Sequence, residues 1–204
     1  MRIYVKAQDM ASEDFRGWFG DWTSEDAYSS RNKKPIPSMV VNEDQTPKVM
    51  YHGTLKDFDE FEVGKAGYNS NIFGSWETTR NAIFFTPDPD RANTFTSNGG
   101  ETSGGNIRPV YLNVRSPLDF RNGVDDFILD EFEGVGINPR WLINFNWEHL
   151  DGDDGKLFVD AAKILGYDGV VFTDEDPETR EYMETWAVFD SSQVRSIYKN
   201  LELK

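Results

Sequence analysis

The chain has 204 residues, 38% of them apolar, with 15 Phe, 8 Tyr and 6 Trp. That is material for one large domain, or one domain with a modest extension, and it argues against global disorder. Lys and Arg number 21 against 36 Asp and Glu, a formal charge of −15 that repels a nucleic-acid backbone. Cysteine is absent and histidine occurs twice, far apart, so disulfides, a thiol nucleophile, Cys-based zinc sites and a His-rich metal site are excluded.

The opening MRIYVKAQDM has no apolar run after its charge and does not read as a signal peptide. No segment approaches the 18 continuous apolar residues of a membrane span. A cytoplasmic protein is the default expectation, with export by a route lacking a cleaved signal left open. Residues 2–7, RIYVKA, read as a short strand. In SEDFRGWFGDW, Phe15, Trp18, Phe19 and Trp22 fall at i, i+3, i+4 and i+7, one face of a helix. Ser12 suits the N-cap, and Gly17 and Gly20 keep the helix short. The stripe reads as packing onto the main body, with a partner-binding helix as the alternative. Residues 23–47 are polar and hold Pro35, Pro37 and Pro47, the composition of a linker or long loop crossed by a brief strand at MVV (39–41). RNKK (31–34) reads as a solvated loop. The expected boundary falls after residue 37, with an N-terminal helical extension and linker at 1–37 and the main domain at 38–204.

KVMY (48–51) reads as a strand that runs into His52, Gly53 and Thr54. KAGYNSN (65–71) looks like an exposed loop. NAIFFT (81–86) is a compact apolar strand. Asp88 then suits the cap of a brief helix starting at Pro89, where the missing N–H costs nothing. TSNGGETSGGN (96–106) holds four glycines and reads as a mobile loop. IRPVYLNVRSPLDF (107–120) is a strand pair, or one long strand broken at Pro117. VDDFILDEF (124–132) places Val124, Phe127 and Ile128 on one helical face, while PRWLINFNW (139–147) is ambiguous in period. GKLFVDAAKILG (155–166) is the clearest helix, with Leu157, Phe158, Ala161, Ile164 and Leu165 as its stripe and Gly166 as a left-handed stop. YDGVVF (167–172) is a strand. An acidic hinge at 173–184 leads to TWAVFD and VRSIY, two strands joined by a tight corner. Many short strands and several short helices without regular alternation give an α+β class. GGETSGG lacks the lysine and the strand–helix context of a phosphate-binding loop.

A histidine beside a glycine can hold a polar group over a bound ring, while the glycine N–H and C=O pair with an amide. Phe84 and Phe95 offer flat faces to stack that ring. A carboxylate from the TWAVF strand can hold a sugar hydroxyl and offset positive charge at the sugar carbon. Taken singly, each residue also fits a structural role: a satisfied histidine, two core aromatics, one more acid in an acidic run.

In order, SMVVNEDQTPKVMYHGT, FDEFEVGKAG, NAIFFTPDPDRANTF, VYLNVRSPLDF, AAKILGYDGVVF and TWAVFDSSQVRSIY resemble the ADP-ribosyltransferase superfamily, on the side of diphtheria toxin and the poly(ADP-ribose) polymerases. Within it they look closest to the transferase domains of polyvalent proteins of phages and mobile elements. The resemblance runs from about residue 38 to residue 198. It implies split, strongly bent β-sheets, with NAD+ as co-substrate in a cleft and a His-Tyr-Glu signature. The histidine falls on His52, which would hold the NAD ribose. Gly53 would pair its backbone with the nicotinamide carboxamide, and Thr54 would line the same wall. The tyrosine falls on Phe84, which keeps the ring and loses the hydroxyl, and the second stacking aromatic falls on Phe95. A gap-free alignment puts Thr185 at the glutamate position with Glu184 one residue early, which in a strand is the other face. A bulge would turn Glu184 into the cleft, so both stand beside His52 as catalytic candidates. The implied activity is mono-ADP-ribosyl transfer to a protein acceptor, or NAD+ cleavage, without a metal, in the cytoplasm of a bacterial or phage-infected cell. Two alternatives stand: a non-catalytic NAD+-binding or protein-binding member of the same fold, and an interaction module built on the Phe15–Trp22 stripe.

Overall fold

The computed structural model describes residues 5–29, 36–55, 58, 60–64, 79–96, 105–175 and 180–200. The expected loops at 31–34 and 65–71, and residues 97–104 of the glycine-rich segment, lie outside the described residues. In chain order the elements are β1 (Val5–Ala7), α1 (Glu13–Phe19), β2 (Met50–Thr54), β3 (Ile83–Phe85), α2 (Pro89–Thr94), β4 (Asn106–Leu112), β5 (Pro117–Asp119), α3 (Asp126–Gly134), α4 (Gly152–Ile164), β6 (Gly169–Glu175), β7 (Tyr182–Val188), β8 (Val194–Ser196) and β9 (Tyr198–Asn200). No helix among the described residues is long and apolar enough to cross a membrane.

Two open sheets carry the fold. One has the order β2-β4-β8 and the other β3-β7-β6-β5, while β1 pairs with β9 as a separate ribbon. Every pairing is antiparallel except β5 with β6. The sheets face each other across Met50, Val110 and Leu112 from the first and Phe85, Val171, Trp186 and Val188 from the second. The outer face of the second sheet, through Val170, Phe172 and Ala187, packs on α3 and α4 by Phe132, Phe158 and Ala162. The outer face of the first sheet, through Tyr111, packs on α1 by Phe15 and Phe19. This is the α+β class with split, open sheets that the sequence implies.

Local signals set several boundaries where the sequence puts them. The Ser12 hydroxyl accepts from Phe15 N, and Gly20 ends α1 at a φ of 100°. The aromatic stripe is packed: Phe15 and Phe19 are fully buried, and Trp18 and Trp22 meet Phe15 edge-on. The Trp18 indole N–H donates to the Ser192 carbonyl, which ties α1 to the corner before β8. That corner is a 3-10 turn at Ser191–Gln193 capped by Asp190. The ambiguous aromatic segment resolves into two 3-10 turns, Pro139–Leu142 and Trp147–Leu150, capped by Asn138 and Asn146.

Four expectations change. The brief strand at MVV reduces to a bridge between Val41 and Pro47, because the Ser38 hydroxyl and Met39 N bond instead to Leu112 and Val114 carbonyls. Pro117 opens β5, since its missing N–H costs nothing at a strand start. Both ends of the acidic hinge are strand: β6 continues to Glu175 and β7 begins at Tyr182, in unbroken register from Gly169 opposite Val188 to Glu175 opposite Tyr182. Finally, two helical faces are rotated. Phe127 is 68% exposed while Phe132 is buried, and in α4 Leu157 and Ile164 are 60% and 76% exposed. The inward face of α4 is Gly155, Phe158, Val159 and Ala162, because Gly155 seats against the Leu150 backbone and brings that side of the helix down.

Candidate active site

β2 and β3 touch through one exchanging pair. Tyr51 N donates to the Thr86 carbonyl at 2.8 Å, and Thr86 N donates to the Tyr51 carbonyl at 3.0 Å. In an antiparallel ladder the next exchanging pair lies two residues on, Gly53 with Phe84. That pair does not form, and the two strands belong to different sheets. His52 Nδ1 stands 2.8 Å from the Phe84 carbonyl oxygen instead. A carbonyl can only accept, so Nδ1 carries the proton and Nε2 is left as an acceptor. The alternation of backbone groups turns the Gly53 N–H and C=O to the same edge as those of Tyr51. Among the described residues no hydrogen bond closes that edge beyond Thr86. The register with β4 agrees: Pro109, which has no N–H to give, faces Tyr51, and its own carbonyl accepts from Ile197 N on the far side.

The His52 ring sits among aromatics, 5.3 Å from Phe61, 5.6 Å from Phe85 and 6.1 Å from Phe58 between centroids. Burial lowers its pKa. The Phe84 carbonyl opposes that shift, while the positive charges of Arg108 and Arg80 add to it. The imidazole is therefore neutral at physiological pH. Thr54 follows on the same face of β2 and is buried.

The opposite face of β2 at Gly53 is covered by α2. A Cβ at position 53 would collide with the Ala92 carbonyl and lie 3.0 Å from Phe95 Cβ, so glycine is what lets the helix seat there. Asp88 fixes the start of α2 by accepting from Asp90 N and Arg91 N. Phe95 is 41% exposed, with the Arg91 guanidinium 5.0 Å from its ring centroid. The Phe84 ring is half-buried, with the Arg80 guanidinium 5.2 Å away. His52, Gly53, Phe84 and Phe95 thus gather around one open stretch of backbone.

Residues 42–202 match the family described as ADP-Ribosyltransferase in polyvalent proteins. The chain belongs to that family. No curated protein is significantly similar to it. A solved structure titled "Crystal structure of an anti-CRISPR protein" covers 72% of this chain and 93% of its own at 16% identity. The TM-score of the two is 0.38.

In this ADP-ribosyltransferase-family chain, β7 separates its two candidates by face. Phe84 pairs with Ala187 and Phe85 with Trp186, so Thr185 shares the face of Phe84, and Glu184 shares that of Trp186. The unbroken β6–β7 register contains no bulge that would turn Glu184 over. Glu184 Oε1 accepts from the Trp186 indole at 2.9 Å and from Lys48 Nζ at 3.3 Å, and Oε2 accepts from Arg121 at 2.7 Å. Burial alone would raise its pKa. The indole, the guanidinium and the ammonium together outweigh that and hold it below the usual glutamate value. A cleft of about 530 Å³ opens on this side, lined by Met39, Lys48, Arg121, Glu184 and Trp186, and none of His52, Gly53, Phe84, Phe95 or Thr185 lines it.

Sequence reasoning missed a pair on the Thr185 side. Arg91, buried on α2, reaches Asp174 of β6 with 3.3 Å between Nη2 and Oδ2. Arg91 stands four residues before Phe95, a helical spacing that could have been read. Asp174 was hidden inside a stretch that reads as hinge.

Proposed function

We propose that this chain is an NAD+-dependent mono-ADP-ribosyltransferase that moves ADP-ribose to a protein acceptor and releases nicotinamide. The observation that carries the reading is the interrupted β2–β3 ladder. His52 takes the Phe84 carbonyl that a backbone amide would otherwise take, and this leaves the Gly53 N–H and C=O side by side at an open edge. A donor and an acceptor so spaced suit a primary carboxamide, the group nicotinamide bears. Phe95 beside Gly53, and Phe84 opposite it in register, supply faces for an aromatic ring. Nε2 of a neutral His52 suits a ribose hydroxyl as donor. The residues therefore fit NAD+, which supplies an activated glycosidic bond to nicotinamide. The chain's part is to hold the carboxamide and ribose and to offset positive charge growing at the ribose carbon. The net charge of −15 favours a protein over a nucleic acid as acceptor.

A second reading, an NAD+-binding member without transfer, draws on one observation: Thr185, at the position that the resemblance gives to glutamate, shares the face of Phe84, and Glu184 is engaged on the other. Calorimetry with NAD+ and a nicotinamide-release assay with cell extract as acceptor separate the two. The expected result is binding and release by the wild type, with His52→Ala weakening affinity about tenfold or more, the loss of one or two hydrogen bonds. Equal affinity in a folded His52→Ala protein would overturn the site. Binding without any release would leave the second reading.

A further inference from the structure

We infer that Asp174 supplies the carboxylate that faces the ribose carbon in this protein, in place of a residue on β7. The inference rests on the transferase reading above. Asp174 pairs with Met183 and Phe172 pairs with Thr185, so Asp174 projects from the same face as Thr185, one diagonal step away on the adjacent strand. Diagonal neighbours in an antiparallel pair stand about 7–8 Å apart. Phe84, Thr185 and Asp174 share one face of the second sheet, and Arg91 brings α2 to that face at Asp174.

Arg91 links Asp174 to the ring site. Arg91 leaves α2 one turn before Phe95, stands over the Phe95 ring at 5.0 Å, and ends 3.3 Å from Asp174. The neighbouring Ala92 carbonyl is the group seated against Gly53. Gly53, Phe95, Arg91 and Asp174 therefore form one connected wall, and Arg91 orients the carboxylate toward it. Glu184, the other acid considered, spends both oxygens on Lys48, Arg121 and Trp186 on the opposite face.

The step itself is simple. The bond from the ribose carbon to the nicotinamide nitrogen breaks, and its electron pair leaves on nicotinamide. A nucleophilic atom of the acceptor then bonds to the same carbon and gives its proton to solvent. The Asp174 carboxylate offsets the positive charge between these events and is not consumed.

The test measures nicotinamide release, NAD+ affinity by calorimetry and thermal midpoint for the wild type, Asp174→Asn, Arg91→Gln/Asp174→Asn and Asp174→Asn/Thr185→Glu. Asp174→Asn should cut release about 100-fold or more, as removing one charge-stabilising group does, with affinity changed less than about threefold. Removing one partner of a buried ion pair can unfold a protein. The Arg91→Gln/Asp174→Asn double variant removes both charges and should fold yet stay as slow. Thr185→Glu in the Asp174→Asn background should restore release about tenfold or more, since it returns a carboxylate to the same face. Release within about threefold of wild type in either folded Asp174→Asn variant overturns the inference alone, as does a failure of Thr185→Glu to restore it. A wild type that binds NAD+ but releases nothing removes the transferase reading, and this inference with it.

Discussion

At His52 one side chain does the work of a backbone pair, taking the Phe84 carbonyl and holding two strands apart. Burial keeps its imidazole below the ordinary value of 6.5 in the folded protein. Between the folded value and 6.5 the unfolded chain binds more protons, so stability rises with pH there. The contribution is complete above about pH 6.5 and is lost as the pH falls below it. His52→Gln should therefore show a flatter dependence of unfolding free energy on pH between about 5 and 7 than the wild type. Urea titrations across that range measure it, and parallel slopes would refute the buried, neutral assignment. The place of His52 and Gly53 at a strand end was legible in the sequence, because the apolar run before them marks the strand. The choice between Glu184 and Thr185 was not, because a strand's facing depends on a register with β6 and β3 that no local residue encodes.

Among the elements, α4 shows how packing overrides a pattern. Leu157 and Ile164 recur at helical spacing and still face solvent, because the helix turns a glycine, Gly155, into the Leu150 backbone. Glycine inside a helix usually costs about 1 kcal/mol relative to alanine. Here Gly155→Ala should instead destabilise by about 1–3 kcal/mol, since the added Cβ meets backbone that cannot rotate away. A higher midpoint in urea for the alanine variant would contradict the seating. Helix ends were easier to read than faces. Ser12 and Asp88 cap α1 and α2 by local hydrogen bonds that residue type and spacing announce.

On the scale of the molecule, the boundary expected after residue 37 becomes a question of what α1 covers. Phe15 and Phe19 are fully buried against Tyr111, and Arg195 reaches back to Asp14. We propose that residues 38–204 form the transferase unit and that α1 acts as its lid on the first sheet. Burial of the two phenylalanines is worth about 3–6 kcal/mol. Each kcal/mol moves the midpoint by about 2–4 °C in a protein of this size. Deleting residues 1–22 should then lower the midpoint by about 6 °C or more and raise binding of a hydrophobic dye. An unchanged midpoint would show that α1 is dispensable to the fold. The α+β class was legible from strand and helix lengths. The division into β2-β4-β8 and β3-β7-β6-β5 was not, because it joins segments distant in sequence.

The ribbon of β1 and β9 has a further consequence. Val5 pairs with Asn200, so the backbone comes in and goes out through neighbouring positions about 5 Å apart. A pull that draws Val5 and Asn200 apart is therefore borne by the hydrogen bonds of this ribbon before it reaches either of the two larger sheets.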